Sequence, residues 1–119
     1  MERLYREWSD RVGFLMVYIR EAHPADEWQL PSNVEQSVVF EQPRSEAARA
    51  EVAGACCTRL KVSMPCVVDS LDNAVDAAYA AWPERLFVVD APGRIAFATE
   101  QGPWGYQPEL LEGWLKAHA

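Results

Sequence analysis

An α/β fold, a layered sheet with helices on both faces, is predicted by three features of the sequence. Gly13-Phe14-Leu15-Met16-Val17-Tyr18-Ile19 is a near-continuous apolar run with aromatic and β-branched side chains, the pattern of a strand covered on both sides. Downstream, stripes of helical period alternate with short apolar segments. The chain then closes with a Pro-Gly hairpin and an amphipathic helix, so that the order reads α-β-loop-α-β-α-β-β-α.

Each element has its own signal. Leu4, Tyr5, Trp8 and Val12 recur at helical spacing with charges opposite, which predicts a helix over Glu2–Val12 without an opening cap. It is followed by the strand Gly13–Ile19. Pro24 to Pro43 is polar and proline-punctuated, a long excursion of the kind that is often functional. Pro43 suits a helix start, and Ala47, Ala48, Val52, Ala55, Cys56 and Leu60 mark an apolar stripe running to about Lys61. Pro65-Cys66-Val67-Val68 reads as a short buried strand. Asp69 or Ser70 can cap the next helix, which carries Ala74, Val75, Ala78 and Tyr79. Glu84–Asp90 and Arg94–Ala98 flank Ala91-Pro92-Gly93, a turn that needs positive φ at its glycine, and so predict a β-hairpin. Pro108 starts the last helix, with Leu110, Leu111, Trp114 and Leu115 inward.

Composition bounds the class of protein. A chain of 119 residues, 50% hydrophobic and 24% charged, fits one compact domain, residues 1–119, without repeats or low-complexity segments. No apolar stretch approaches the roughly 20 residues of a membrane span, and MERLYREWSDR is too charged for a signal peptide. A cytoplasmic location without membrane contact is expected. Net charge of -7, with no cluster of Lys and Arg, argues against a nucleic-acid partner. Cys56, Cys57 and Cys66 lack any Cys-x-x-Cys or Cys/His pairing, so partly buried free thiols are expected rather than a disulfide scaffold or zinc site.

The chemistry-bearing residues gather after the first strand, in YIREAHPADEW. Glu21 and His23 follow the predicted strand at the carboxyl edge of a parallel sheet, where open α/β folds place ligands. Two residues apart on an extended chain, they can point the same way, with the histidine as proton donor or acceptor and Glu21 orienting it. A solvated strand end is the competing reading. Glu21, His23 and Asp26 make a poor metal set without a second histidine. His118 reads as a frayed surface histidine. Pro83, in Trp82-Pro83-Glu84-Arg85, is either a trans residue ending a helix or a cis residue near a site. Arg85 is a surface charge or an anion contact. Trp104, in Gly102-Pro103-Trp104-Gly105-Tyr106, either packs on the core, the simpler expectation, or stacks on a substrate ring.

Taken in order, FLMVYIREAHPADEWQ, PCVVDSLDN, AAWPERLFVVDAPGRIAF and GPWGYQPELLEGWL resemble the catalytic domain of the iodothyronine deiodinases and their bacterial relatives over nearly the whole chain, least through Ser32–Lys61. The resemblance implies a thioredoxin-like fold with a peroxiredoxin-like insertion. It also implies reductive removal of iodine from iodinated phenols, with a thiol reductant of thioredoxin or glutathione type and no further cofactor. Glu21 and His23 match the family's Glu-Ala-His motif, which implies proton delivery or phenol contact. Arg85 matches the arginine of its Pro-Glu-Arg-Leu motif, and Pro83 its cis proline.

Two departures matter. A second histidine of the family falls at about Pro43. Met1 aligns about a dozen residues after the selenocysteine or cysteine nucleophile, and none of the three cysteines takes its place. An N-terminal strand that would lie mid-sheet, between Gly13–Ile19 and Glu84–Asp90, is therefore expected to be missing, and a start at Met1 downstream of a selenocysteine codon would account for it. The chain as given is expected to lack turnover. The alternatives are a non-catalytic binding or dimerisation module, with a homodimer completing the sheet, and a thiol peroxidase or disulfide reductase acting through Cys66.

Overall fold

The computed structural model describes residues 1–21 and 43–119. Its elements are α1 (Glu2–Trp8), β1 (Met16–Tyr18), α2 (Glu46–Arg59), β2 (Cys66–Val68), α3 (Ala74–Tyr79), β3 (Phe87–Val89), β4 (Ile95–Ala98) and α4 (Pro108–His118). Among the described residues the protein is thus mixed α/β, and its helices and strands follow in the predicted order. Where one sheet is predicted, the described strands form two pairs, β1 parallel to β2 and β3 antiparallel to β4. The chain divides into two compact units, Met1–Phe14 with Ala80–Ala119, and Leu15–Tyr79. Apart from Pro43, the predicted excursion falls on or beside residues 22–42, outside the described residues.

Among the described residues the cluster of buried hydrophobic side chains lies in the first unit. Leu4 and Trp8 of α1 are buried with Leu111 and Leu115 of α4, and Val12, Phe14, Leu86, Val88, Phe97 and Trp114 pack around them. This is the amphipathic pairing that the stripes predict. α1 stops at Trp8 rather than Val12. The N–H groups of Arg11 and Val12 instead bond the Trp8 carbonyl, both at 2.9 Å, and turn the chain while leaving Val12 on the core. The hairpin closes as predicted, with Gly93 at φ 90 and its N–H 2.9 Å from the Asp90 carbonyl. Pro108 stands in the first turn of α4. Leu110, predicted inward, is 52% exposed, because the buried seam follows Leu111 and Leu115 alone. His118 is exposed yet ordered by its neighbour: its ring stacks on Trp114 at 4.5 Å, and Nδ1 lies 2.9 Å from the Trp114 carbonyl.

In the second unit the parallel ladder pairs Met16 with Cys66, Val17 with Val67 and Tyr18 with Val68. The Met16 N–H to Pro65 and Asp69 N–H to Tyr18 bonds, both 2.8 Å, bound it, so the predicted seven-residue strand shortens to the three residues that have a partner. Nor is β2 buried: Val67 and Val68 are exposed. α2 starts two residues after Pro43-Arg44, capped by Ser45, whose hydroxyl accepts the Ala48 N–H at 3.1 Å. Its buried face carries Arg49 and Ala53, while Ala47 and Leu60 of the predicted stripe are exposed. Arg49 turns inward because its guanidinium donates to the Ser70 carbonyl at 2.8 Å, which satisfies part of a buried charge.

Candidate functional site

Glu21 follows β1 at the carboxyl end of the parallel pair and is half-buried. The hydroxyl of Tyr18, the last residue of β1 and three positions before Glu21, donates to Glu21 Oε1. Burial, and then the hydrogen bond to Glu21, push the Tyr18 phenol above its ordinary value, so it stays a protonated donor across the physiological range. A carboxylate thus stands at the sheet edge, its orientation set by a phenol. His23 and Asp26 lie outside the described residues.

β2 ends in a second organised cluster. Asp69, buried directly after the strand, accepts the N–H of Val75 at 3.0 Å on one oxygen and that of Asp76 at 2.9 Å on the other. Burial works to raise its pKa, but the N–H groups of Asp76, Val75 and Ser70 outweigh it and hold the carboxyl below its ordinary value. Asp76 is itself buried and receives Arg20 Nε at 2.9 Å. This network ties the ends of β1 and β2 to α3, and its buried acid and the inward Arg49 are beyond reach of apolar periodicity.

The thiols line the same unit. Cys56, Cys57 and Cys66 are all half-buried and free, as expected. Burial first, then Glu21 and Cys57, push Cys56 up to about 11. Burial and the neighbouring Cys57 thiol push Cys66 up to about 11. Such groups carry little thiolate at neutral pH, the reverse of an activated nucleophile. Among the described residues no three His, Cys, Asp or Glu side chains converge on a point that could hold a metal ion.

Pro83, Arg85 and Trp104 belong to the other unit, and that unit brings their segments together. The Trp82–Pro83 bond is cis. Gln101 Nε2 donates to the Trp82 carbonyl at 2.6 Å, and the Gly102 N–H to the Glu84 carbonyl at 2.8 Å, stitching the proline segment to the aromatic loop. Arg85 Nε donates to the Thr99 carbonyl at 2.7 Å, and its guanidinium lies 5.0 Å over the Phe87 ring. Trp104 is 87% exposed, which overturns the expectation that it packs on the core. The loop owes its shape instead to Gly105, where a Cβ would collide with the backbone of Glu100 and Gln101.

These features define an α/β protein with a phenol-held carboxylate after a parallel strand, and an arginine and an exposed indole grouped behind a cis proline. The family model described as Iodothyronine deiodinase matches residues 1–119. The type I iodothyronine deiodinase of Xenopus laevis is 38% identical over 107 residues, 90% of this chain and 40% of that protein. The thyroxine 5-deiodinase of Sparus aurata is 32% identical over 118 residues, 98% and 42%. The type II iodothyronine deiodinase of Rattus norvegicus is 32% identical over 116 residues, 96% and 43%. The chain belongs to the iodothyronine deiodinase family. It spans about two fifths of the length of these relatives. Among the described residues no helix is long and apolar enough to cross a membrane.

Proposed function

We propose that this chain carries the substrate-facing part of a thioredoxin-like reductive dehalogenase acting on iodinated phenols, with residues 1–119 as one domain. The observation that carries the reading is the family match across all 119 residues. The overall step balances as one iodophenol and two thiols giving the phenol, one disulfide and hydrogen iodide. Glu21, with His23, delivers the proton that replaces iodine on the ring carbon. Arg85 contacts the polar end of the substrate beside Pro83, and Trp104 offers a ring on which an aromatic substrate stacks. The reductant is a thiol of thioredoxin or glutathione type, and the setting is the cytoplasm.

The nucleophile that takes up iodine is not one of the three cysteines, in keeping with thiols held near 11 at Cys56 and Cys66. The same values count against peroxidase chemistry at Cys66. By itself the chain therefore does not turn over. A binding or dimerisation module is the second reading, favoured by the exposed apolar residues Val67, Val68, Val89 and Ile95 on its strands.

The test is iodide release from a diiodophenol in dithiothreitol. The 119-residue chain should release none, and the chain extended upstream by a strand and a Cys-x-x-Pro segment should release iodide in a manner abolished by Glu21→Gln. Release by the short chain would overturn the assignment of the nucleophile. No release by a folded extended chain would leave the binding-module reading in its place.

A further inference from the structure

We propose that the ion pair between Arg20 and Asp76 sets the position of the Glu21 carboxylate, which makes Arg20, and Asp76 through it, positioning residues for the proton donor. The inference deepens the reading of Glu21 given above and rests on it. Its geometry is a closed circuit of hydrogen bonds within one compact unit. The parallel ladder closes at Tyr18, whose carbonyl accepts the Asp69 N–H at 2.8 Å. Asp69 Oδ2 accepts the Asp76 N–H at 2.9 Å, and Asp76 Oδ2 accepts Arg20 Nε, also at 2.9 Å. Arg20 stands two residues after Tyr18, so the circuit returns to the strand where it began.

That return decides where Glu21 leaves the chain. Past Tyr18 the backbone has run out of ladder, and it bends at Arg20. A side chain bonded to α3 takes over there as the fixed point. Asp76 suits the task because it is buried and engaged twice: Asp69 holds its N–H while its carboxylate holds Arg20, so it carries the position of the end of β2 to residue 20. A charge-assisted bond to a buried carboxylate is stronger than a neutral one and is little screened by salt. Glu21, the next residue, accepts the Tyr18 hydroxyl. Neighbouring side chains are therefore tied to different elements, Arg20 to α3 and Glu21 to β1, and the peptide joining them is oriented from both sides. Releasing Arg20 frees the bend and lets the carboxylate leave the phenol. Misplacing a reacting group by about 1 Å can cost on the order of a hundredfold in rate, so a bend that is only partly released costs about tenfold.

Nuclear magnetic resonance of the 119-residue chain tests the geometry. Nuclear Overhauser contacts between the Tyr18 ring and the Glu21 side chain should be present in wild type, weakened several-fold in Arg20→Met, and partly restored in Arg20→Lys, whose ammonium still reaches Asp76. Asp76→Leu removes the acceptor from the helix side and should repeat the Arg20→Met result, so the proposal can be read on whichever chain folds. Contacts kept at full strength in a folded Arg20→Met or Asp76→Leu chain overturn it. Iodide release from a diiodophenol in dithiothreitol, by the chain extended upstream, tests the function. Arg20→Met should lower kcat about tenfold, leave KM unchanged, and slow Glu21→Gln no further. A merely structural pair would cost as much in the Glu21→Gln background as in wild type, and that result overturns the proposal, as does an unchanged kcat in Arg20→Met where Glu21→Gln is slow. A Glu21→Gln chain as fast as wild type overturns the reading of Glu21 itself, a failure that the Overhauser contacts do not share.

Discussion

Arg85 reaches past the open end of its hairpin to place Nε 2.7 Å from the carbonyl oxygen of Thr99. Thr99 is buried and completes the junction: its hydroxyl accepts the Leu86 N–H at 3.1 Å, and its own N–H bonds the Leu86 carbonyl at 3.0 Å. Thr99→Val keeps the shape and removes the acceptor, so the Leu86 N–H loses its partner at a cost of about 1–2 kcal/mol. Urea unfolding of the two chains checks this, and equal midpoints would show that the hydroxyl contributes nothing. In a chain extended to turnover, Arg85→Lys should lower kcat/KM about tenfold, since an ammonium cannot reproduce the anchored planar fork.

The carboxylate of Asp69 holds two N–H groups at the start of α3, and its replacement should be felt through that helix. Asp69→Ala is expected to cost about 1–2 kcal/mol, and Asp69→Asn less, because one acceptor oxygen remains. The pH dependence follows from the sign of the shift. The folded carboxyl is held below its ordinary value, so its contribution is fully present above the unfolded pKa and fades as pH falls through the folded one. Wild type and Asp69→Ala should therefore differ in urea midpoint at pH 7 and converge in strong acid; a gap that persists unchanged there would assign the effect to packing.

Glu112 offers the same test on the surface of the other unit. Hydrogen bonds from Arg3 at 2.5 Å and Lys116 at 2.7 Å, with their charges, hold it down to about 2. The lowered value means stabilisation present above the ordinary carboxylate range near 4.5 and lost between there and about 2. Glu112→Gln should lower Tm slightly at pH 7 and not at all near pH 2. Salt should shrink the difference, as it does for exposed pairs.

Trp104 stands away from the core, so Trp104→Ala should leave stability within about 0.5 kcal/mol of wild type. That separates folding from binding. If the indole stacks on an aromatic substrate, the same variant should weaken diiodophenol binding several-fold by fluorescence or calorimetric titration. Unchanged affinity would remove Trp104 from the substrate site.

Local chemistry explains what is legible in the sequence. Asp69 as a helix cap, Gly93 in its turn and Pro108 in a first helical turn each act within a few residues, and each is where the sequence places it. The misplacements come from tertiary partners. The first strand is as short as β2 allows, and Arg49 is buried because Ser70, 21 residues away, offers it a carbonyl. Trp104 is exposed, which apolarity alone does not report. Among the candidate residues, Glu21 in one unit and Pro83 and Arg85 in the other are singled out by motif. The Tyr18 phenol is missed, since in the sequence it reads only as one more apolar strand residue.

That phenol supplies the sharpest prediction about mechanism. Tyr18 donates to Glu21 Oε1 and so fixes the orientation of that carboxyl group. Tyr18 is a positioning residue in this scheme, acting through Glu21 rather than on the substrate. In the extended, iodide-releasing chain, Tyr18→Phe should lower kcat/KM about three- to tenfold, and Glu21→Gln by about a hundredfold or more. In the Glu21→Gln background, Tyr18→Phe should have no further effect, because the phenol acts only through that carboxyl group. A merely structural tyrosine would lower the rate equally in both backgrounds. Additive losses in the double variant would therefore remove Tyr18 from the scheme and leave Glu21 to be positioned by other groups.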